Sequence, residues 1–193
     1  MQEGKPPNPQ QIQIIREEVE RADQTITKLM GYAQLAEGKV ERLNVAEEID
    51  RAVDHAMPVA AKYPVVVEKE CQEGLPVLMM QRGHLSEILV NVLQNAREAS
   101  VGKGHIRIAA RAGPNQSVVI TIADDGPGIA KSKLEKIFQP YFTTKERGTG
   151  LGLSIVKHNA ELYGGSVRVE SELGKGTRFV LEFPTRTITK SPS

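Results

Sequence analysis

The sequence predicts an α/β (α+β) two-layer sandwich with a mixed sheet, preceded by one long helix. Three observations point to this fold class. Apolar residues recur at helical spacing in several segments, and alternating runs typical of strands occur in pairs around short turns. The two kinds of segment follow one another without the βαβ rhythm of a doubly wound fold.

The composition bounds the function classes. The chain has 193 residues, of which 39% are apolar and 25% charged, with a formal net charge of +1. That balance predicts no nucleic-acid partner, and no apolar run approaches the roughly 20 residues that span a bilayer. The N-terminus lacks the apolar segment of a signal peptide, so we expect a cytoplasmic chain without membrane contact, while an upstream anchor of a longer parent stays open. A single cysteine, Cys71, excludes an internal disulfide.

Four regions are predicted along the chain. Residues 1–9 are polar and proline-punctuated and predict a flexible lead-in, and residues 185–193 predict a disordered tail. Residues 10–37 predict a helix with a heptad seam, which needs a partner helix unless it packs on the chain's own domain. Residues 38–184 form the main domain. The seam comprises Ile12, Ile15, Val19, Ala22, Ile26, Leu29 and Ala33.

The main domain begins with a helix and two strands. Asn44 and Glu47 have the spacing of a capping box, which predicts a helix that Pro58 kinks or ends. Residues 65–70 and 76–80 flank a glycine-containing turn and predict a β-hairpin.

The rest of the domain combines helices with strand pairs. Helices are predicted over residues 83–100, 130–137 and 151–163. Strand pairs around glycine turns are predicted within residues 106–123 and 166–183.

Two glycine clusters, at residues 124–129 and 148–153, flank a basic segment and predict a phosphate site. The second cluster runs into a helical pattern, and a helix start offers unpaired N–H groups and a positive dipole end to an anion. It is not a Walker A loop, because no Gly-Lys pair in the chain is followed by Ser or Thr, nor does it follow a strand as a dinucleotide fingerprint must. Alone, the first cluster is equally compatible with an ordinary turn.

A polar stripe on the third predicted helix carries Glu87, Asn91 and Asn95 at intervals of four residues. Their side chains therefore lie on one face. Two asparagines in mid-helix lower helix stability unless something uses them. The stripe predicts a ligand contact, and the alternative is that both amides are merely solvated.

Five segments stand in a fixed order, at residues 91–96 (NVLQNA), 124–129 (DDGPGI), 137–145 (IFQPYFTTK), 148–153 (GTGLGL) and 174–177 (GKGT). Together they resemble the N box, first G box, F box, second G box and third G box of sensor histidine kinases. The resemblance covers roughly residues 8 to 184 and implies the Bergerat, or GHKL, ATP-binding fold. The short Phe-Thr-Thr-Lys lid is most similar to the nitrogen-regulation type of histidine kinase.

The resemblance implies ATP as the ligand, with an adenine end at the first glycine cluster. Asp124 would accept a hydrogen bond from the exocyclic amine of adenine and would disfavour guanine, which carries a carbonyl there. Gly126 and Gly128 would let the loop close over the purine, and Ile129 would form the floor of the pocket.

The resemblance also implies a phosphate end that uses Mg²⁺. Asn95 would be the metal ligand, Asn91 would orient a water or a phosphate, and Lys145 would screen the triphosphate, so that these three form the catalytic set. Lys131 and Lys133 are expected to be solvated instead. The other predicted nucleotide contacts are Phe142, Thr143, Thr144, Gly148, Thr149, Gly150, Leu151, Gly152, Leu153 and Thr177.

The residue at position 91 distinguishes phosphoryl transfer from ATP hydrolysis. In hydrolysing GHKL relatives such as gyrase and the mismatch-repair ATPases, a glutamate that activates water lies one turn before the metal-binding asparagine, where this chain has Asn91. The resemblance therefore favours phosphoryl transfer over hydrolysis. Glu87 lies a further turn back and is expected to be too far away to replace that glutamate, except through a water.

The phosphoacceptor is expected to be missing. A complete sensor kinase carries its acceptor histidine on the first helix of a two-helix dimerisation hairpin. Residues 10–37 resemble the second helix of that hairpin, and no histidine precedes His55. His55, His84, His105 and His158 are expected to be structural or surface residues.

The resulting prediction is the ATP-binding catalytic domain of a two-component sensor histidine kinase, which binds Mg-ATP but does not autophosphorylate by itself. Its partners would be a histidine-bearing dimerisation helix and the receiver domain of a response regulator, and the parent protein would be a homodimer. Two alternatives stay open, a non-catalytic nucleotide-binding or interaction module and a GHKL ATPase.

Overall fold

A computed structural model of the chain describes most of the main domain. The predicted lead-in, nearly all of the predicted heptad helix and the tail beyond Thr185 lie outside the described residues. The described residues are Gln13, Ile14, Glu18, 38–57, 65–100, 104–145 and 148–185.

Helices and strands follow one another as the patterning predicts. In chain order the elements are β1 (Val40–Leu43), α1 (Val45–Ala56), β2 (Val65–Cys71), β3 (Leu78–Gln81), α2 (Arg82–Ala99), β4 (Gly104–Gly113), a 3-10 turn (Pro114–Gln116), β5 (Ser117–Asp124), α3 (Lys131–Leu134), α4 (Gly152–Leu162), β6 (Ser166–Ser171) and β7 (Thr177–Pro184).

The larger sheet has five strands in the order β2-β4-β5-β7-β6. β2 runs parallel to β4 and the other neighbours are antiparallel, which confirms the predicted mixed sheet. Side chains alternate along β4 and β7, as in strands with one buried face. That face shares one core with α1, α2 and α4, which gives the two layers, and includes Ile106, Ile108, Ala110, Phe179, Leu181 and Phe183.

The ends of α1 are held by side chains. Asn44 is the N-cap, as predicted, and its Oδ1 accepts from the Ala46 N–H at 3.1 Å. At the other end, Arg97 Nη1 of α2 donates to the Ala56 carbonyl at 2.5 Å. The Arg97 contact fixes the C-terminal end of α1 against α2, the helix that carries the polar stripe.

The predicted hairpin over residues 65–70 and 76–80 is wrong. The turn between the strands is present, with Gly74 at φ 71°, but β3 pairs antiparallel with β1, and β2 lies at the edge of the larger sheet. Leu78 and Met80 of β3 are each 1% exposed, whereas β2 is half exposed. Burial of these side chains outweighs the local tendency of a turn to pair its flanking strands. The short strand β1 was not predicted.

The other local predictions differ only in their bounds. The strand pairs β4–β5 and β6–β7 are antiparallel, which confirms the two later hairpins. The short helix predicted over residues 130–137 is reduced to the single turn α3. Cys71 is half-buried against the core, and burial raises the pKa of its thiol. No described helix is long and apolar enough to cross a membrane.

Candidate functional site

A cavity of about 670 Å³ opens between α2, the loop after β5 and the segment that leads into α4. Its volume is in the range of small-molecule sites. Gly126 and Leu151 are predicted site residues that lie outside its wall. The predicted residues that line it are Asn91, Asn95, Asp124, Gly128, Ile129, Phe142, Thr143, Thr144, Lys145, Gly148, Thr149, Gly150, Gly152, Leu153 and Thr177.

Asp124, the last residue of β5, is 9% exposed. The Gly126 N–H donates to its Oδ1 at 2.9 Å, and Thr177 adds a backbone hydrogen bond. Burial nevertheless raises the pKa of the Asp124 carboxyl, because the backbone donors offset only part of the lost hydration. A ligand amine that donates to this carboxylate would replace that hydration, which is the chemistry that adenine recognition requires.

The loop after β5 is tied to its neighbours by the protein itself. A Cβ on Gly126 would lie 2.9 Å from the Ala99 Cβ, so this glycine permits close packing on α2 rather than contact with the cavity. The Ile129 N–H donates to Ser171 Oγ at 2.8 Å, which joins the loop to the end of β6. The adenine end of the predicted site is therefore preformed.

Asn91 and Asn95 both line the cavity from α2. Asn91 Nδ2 donates to the Glu87 carbonyl at 2.8 Å, and its Oδ1 faces the start of α4, where a Cβ on Gly152 would lie 2.7 Å away. Asn95 Oδ1 accepts from Lys145 Nζ at 2.7 Å. The Asn91 amide oxygen thus faces the start of α4, and the Asn95 amide oxygen faces the Lys145 ammonium.

Glu87 is held outside the cavity wall. Asn159 of α4 is 3% exposed and donates from Nδ2 to Glu87 Oε2 at 3.1 Å. This carboxylate therefore joins two helices and is not placed to activate a water in the cavity.

Lys145, which is predicted to screen the phosphates, contacts two side chains of α2. Its ammonium group donates to Asn95 Oδ1 and forms an ion pair with Glu98 Oε2. Gln94 and Glu98 also line the cavity and were not predicted. They follow Asn91 by three and seven residues, which is same-face helical spacing. Applying the i+3 and i+7 positions to Asn91 would therefore have found both of them.

The segment before α4 folds back on itself. Gly150 has φ 69°, and a Cβ there would collide with the backbone of Tyr141, which itself has φ 65°. Thr143 Oγ1 accepts from the Lys145 N–H at 3.1 Å. Glycine is therefore required at 150 to bring this segment against the start of α4.

The cavity has further wall residues that the motifs did not indicate. Lys133 lines the rim and is exposed, so it is solvated, as predicted, yet also within reach of a ligand. Phe179 lies on β7, and no motif in the sequence marks it as a wall residue. The remaining unpredicted wall residues are Ala99, Pro127, Ala130, Ile137 and Leu173.

His84 and His105 lie outside the cavity wall. His84 Nδ1 lies 2.7 Å from the Tyr163 hydroxyl, and burial lowers the pKa of this imidazole. His105 uses its backbone N–H to bind Asp125 Oδ1. Within the described ranges, no group of three or more His, Cys, Asp or Glu residues could hold a metal ion.

Comparison with known proteins identifies related sequences. Residues 80–187 match the family model for histidine kinase-, DNA gyrase B- and HSP90-like ATPases. The sensor histidine kinase ZraS of Salmonella typhimurium is 31% identical over 172 residues, covering 89% of this chain and 37% of ZraS. Sporulation kinase E of Bacillus subtilis is 31% identical over 173 residues, covering 90% of this chain and 23% of that kinase. The chain thus spans less than half the length of these relatives.

Solved structures share the sandwich. The catalytic domain of histidine kinase ThkA matches with a TM-score of 0.68 at 29% identity, covering 76% of this chain and 96% of that one. Full-length ShkA in complex with AMPPNP matches with a TM-score of 0.75 at 25% identity, covering 96% of this chain and 41% of that one. These likenesses confirm the predicted fold class.

Proposed function

Because the chain belongs to the family of histidine kinase-, DNA gyrase B- and HSP90-like ATPases, we propose that it transfers the γ-phosphoryl group of ATP to a histidine on another helix. Its domain is the ATP-binding catalytic domain found in sensor histidine kinases. The relatives are longer than this chain, so the acceptor and the downstream regulator are part of the proposal.

The geometry of the cavity supports ATP binding at both ends. Asp124 offers a buried acceptor to the adenine amine, a charge-assisted bond worth roughly 1.5–3 kcal/mol. The start of α4, with Gly150 and Gly152, offers backbone N–H groups and a positive dipole end to the phosphates. Lys145 supplies a cation on the same wall.

The phosphate end also fits Mg²⁺. Asn95 Oδ1 already accepts from a cationic group, the Lys145 ammonium, so this position tolerates a cation. An amide oxygen is a ligand type that Mg²⁺ uses, and Asn95 would hold it. When bound, Mg²⁺ neutralises negative charge on the phosphates during transfer. Asn91 would orient a phosphate or a water beside it.

The observation that carries the proposal is the absence of a positioned base on the described wall before Asn95. Asn91 occupies the place of the hydrolytic glutamate, and Glu87 is held by Asn159. The carboxylates on the described wall are Asp124, at the adenine end, and Glu98, which is paired with Lys145. This arrangement supports transfer to a nitrogen nucleophile, in which the new P–N bond forms as the bond from γ-phosphorus to ADP breaks.

The acceptor histidine would come from outside this sequence. No histidine precedes His55, and residues 10–37, mostly outside the described part, carry the predicted heptad seam. We assign that seam to the second helix of a dimerisation hairpin in a homodimeric parent of the nitrogen-regulation type. A receiver domain of a response regulator would then take the phosphoryl group. The use of ATP supports a cytoplasmic location.

Labelled ATP tests the proposal. The chain is incubated with γ-labelled ATP and Mg²⁺, alone and with a separate helical hairpin that bears the acceptor histidine of a related kinase. We expect acid-labile label on the hairpin and none on this chain. Label on a histidine of this chain, or no transfer to any of several related hairpins, would contradict the proposal and leave a non-catalytic module.

Steady phosphate release tests the hydrolytic alternative. We expect no turnover above background with Mg-ATP, and the same result for Glu87→Ala. Turnover that Glu87→Ala abolishes would show that the chain is a hydrolase and that this carboxylate reaches the cavity.

A further inference from the structure

Glu98 follows Asn95 by three residues on α2, so both side chains project into the cavity from the same face. One cationic group, the Lys145 ammonium, contacts both of them: it donates to Asn95 Oδ1 at 2.7 Å and pairs with Glu98 Oε2. An amide oxygen and a carboxylate oxygen therefore converge on one positive charge at the phosphate end.

This pair of oxygens is a donor set for a hard divalent cation. Carboxylate and amide oxygens are typical ligands of Mg²⁺, which is held by few protein groups and completes its shell with water and phosphate oxygens. The Lys145 side chain is 43% exposed and that of Glu98 is 46% exposed. Such an exposed ion pair contributes little to stability, so a divalent ion can replace the ammonium group.

We propose that Glu98 completes a divalent-cation site with Asn95, and that the Lys145 ammonium and the metal alternate in it. This inference rests on the proposed function, because the metal would arrive with the nucleotide. The displaced Lys145 stays on the wall that also holds Gly148 and Gly150, so it can pair with the phosphates. The divalent ion and the Lys145 ammonium would then both face the triphosphate.

The proposal has a consequence for metal-free nucleotide. Without a divalent ion, Lys145 cannot neutralise both Glu98 and the triphosphate, and an uncompensated carboxylate repels the phosphates. Glu98 therefore makes ATP binding depend on the divalent cation. A glutamate that merely holds a surface lysine would have no such effect.

The test compares ATP affinity in excess EDTA and in saturating Mg²⁺ by calorimetry. The quantity of interest is the dissociation constant in EDTA divided by the dissociation constant in Mg²⁺. For Glu98→Gln, we expect this ratio to fall at least about 10-fold, with tighter binding in EDTA and weaker binding in Mg²⁺. For Lys145→Met, we expect the opposite change in EDTA, because Glu98 then has no cation. Mn²⁺ binding to the ADP-loaded chain, followed by electron paramagnetic resonance, should weaken in parallel for Glu98→Gln.

Glu161→Gln is the matched control. Glu161 is an exposed glutamate paired with Lys157 on α4, and it lies outside the cavity wall, so its ratio should equal that of the wild type. A wild-type ratio in Glu98→Gln with unchanged Mn²⁺ binding would overturn the cation site while leaving the ATP site intact. Failure of the wild type to bind ATP in either condition would instead overturn the proposed function together with this inference.

Discussion

The two ends of the cavity are held in different ways. At the adenine end, Asp124 is 9% exposed and bonded by backbone amides of the sheet and the adjoining loop. At the phosphate end, Lys145 and Glu98 are about half exposed and hold one another through a side-chain ion pair. Backbone bonds of a sheet persist when a ligand arrives, whereas exposed ion pairs exchange partners readily. Under the proposed function, the acceptor for the base would be in place before ATP binds, whereas the charges at the phosphate end would have to rearrange.

The largest effect is expected at the preformed end. Asp124→Asn should weaken ATP binding about 10- to 100-fold, because a charge-assisted bond to the adenine amine is lost. The loss should be the same in EDTA and in Mg²⁺, as measured by calorimetry.

Asp125→Asn is the control for that substitution. Asp125 is the neighbouring carboxylate, and its Oδ1 accepts from the His105 backbone N–H. An asparagine oxygen preserves that contact, so affinity should change less than about 2-fold. Equal losses in the two variants would mean that Asp124 does not read the base.

A smaller effect is expected at the phosphate end, at the start of α4. Gly152→Ala places a methyl group 2.7 Å from Asn91 Oδ1, and overpacking of this kind costs about 1–3 kcal/mol, although alanine otherwise favours a helix. We expect roughly a 10-fold loss of Mg-ATP affinity. If the effect acts through Asn91, Gly152→Ala should add little to Asn91→Ala. Additive losses would show that the glycine has a separate role.

The pH dependence of ATP affinity gives the mildest test. The adenine amine needs the ionised Asp124, and burial raises the pKa of that carboxyl in the empty site. Affinity should be full above the raised pKa and should fall severalfold as the pH drops through it, with proton release on binding in that window. For the empty domain the sign is opposite: stability from the protonated carboxyl is present at low pH and is lost as the pH rises through the raised pKa.

An ATP affinity that does not change with pH would contradict the role of the ionised Asp124 in binding the adenine amine. Asp124→Asn serves as the control, because the titration of the ATP phosphates persists in this variant and only the carboxyl contribution disappears.

The sequence predicted the residues of the cavity wall better than it predicted which strands pair. Asp124 and Asn95 could be predicted because box order and helical spacing fix their places in the chain. The pairing of β3 with β1 could not, because it depends on burial of Leu78 and Met80 rather than on the turn at Gly74. A local turn signal carries no information about long-range partners.

The partners of the site residues were less accessible to sequence reasoning than the residues themselves. Glu98 continues the helix face of Asn91 and Asn95, yet its pairing with Lys145 requires two segments to meet in space. Phe179, which was not predicted, lines the cavity from β7, and Thr177 is the predicted contact on that strand. The charge balance of the phosphate end therefore emerges only from the fold.

A crystal structure of the chain with Mg²⁺ and a non-hydrolysable ATP analogue tests most directly whether the adenine end is preformed and the phosphate end rearranges. We predict that Asp124 keeps its backbone bonds and accepts from the adenine amine, while Lys145 leaves Asn95 and Glu98 for the phosphates. An analogue bound with its base away from Asp124, or with Lys145 still on Glu98 and no metal at Asn95, would contradict the account.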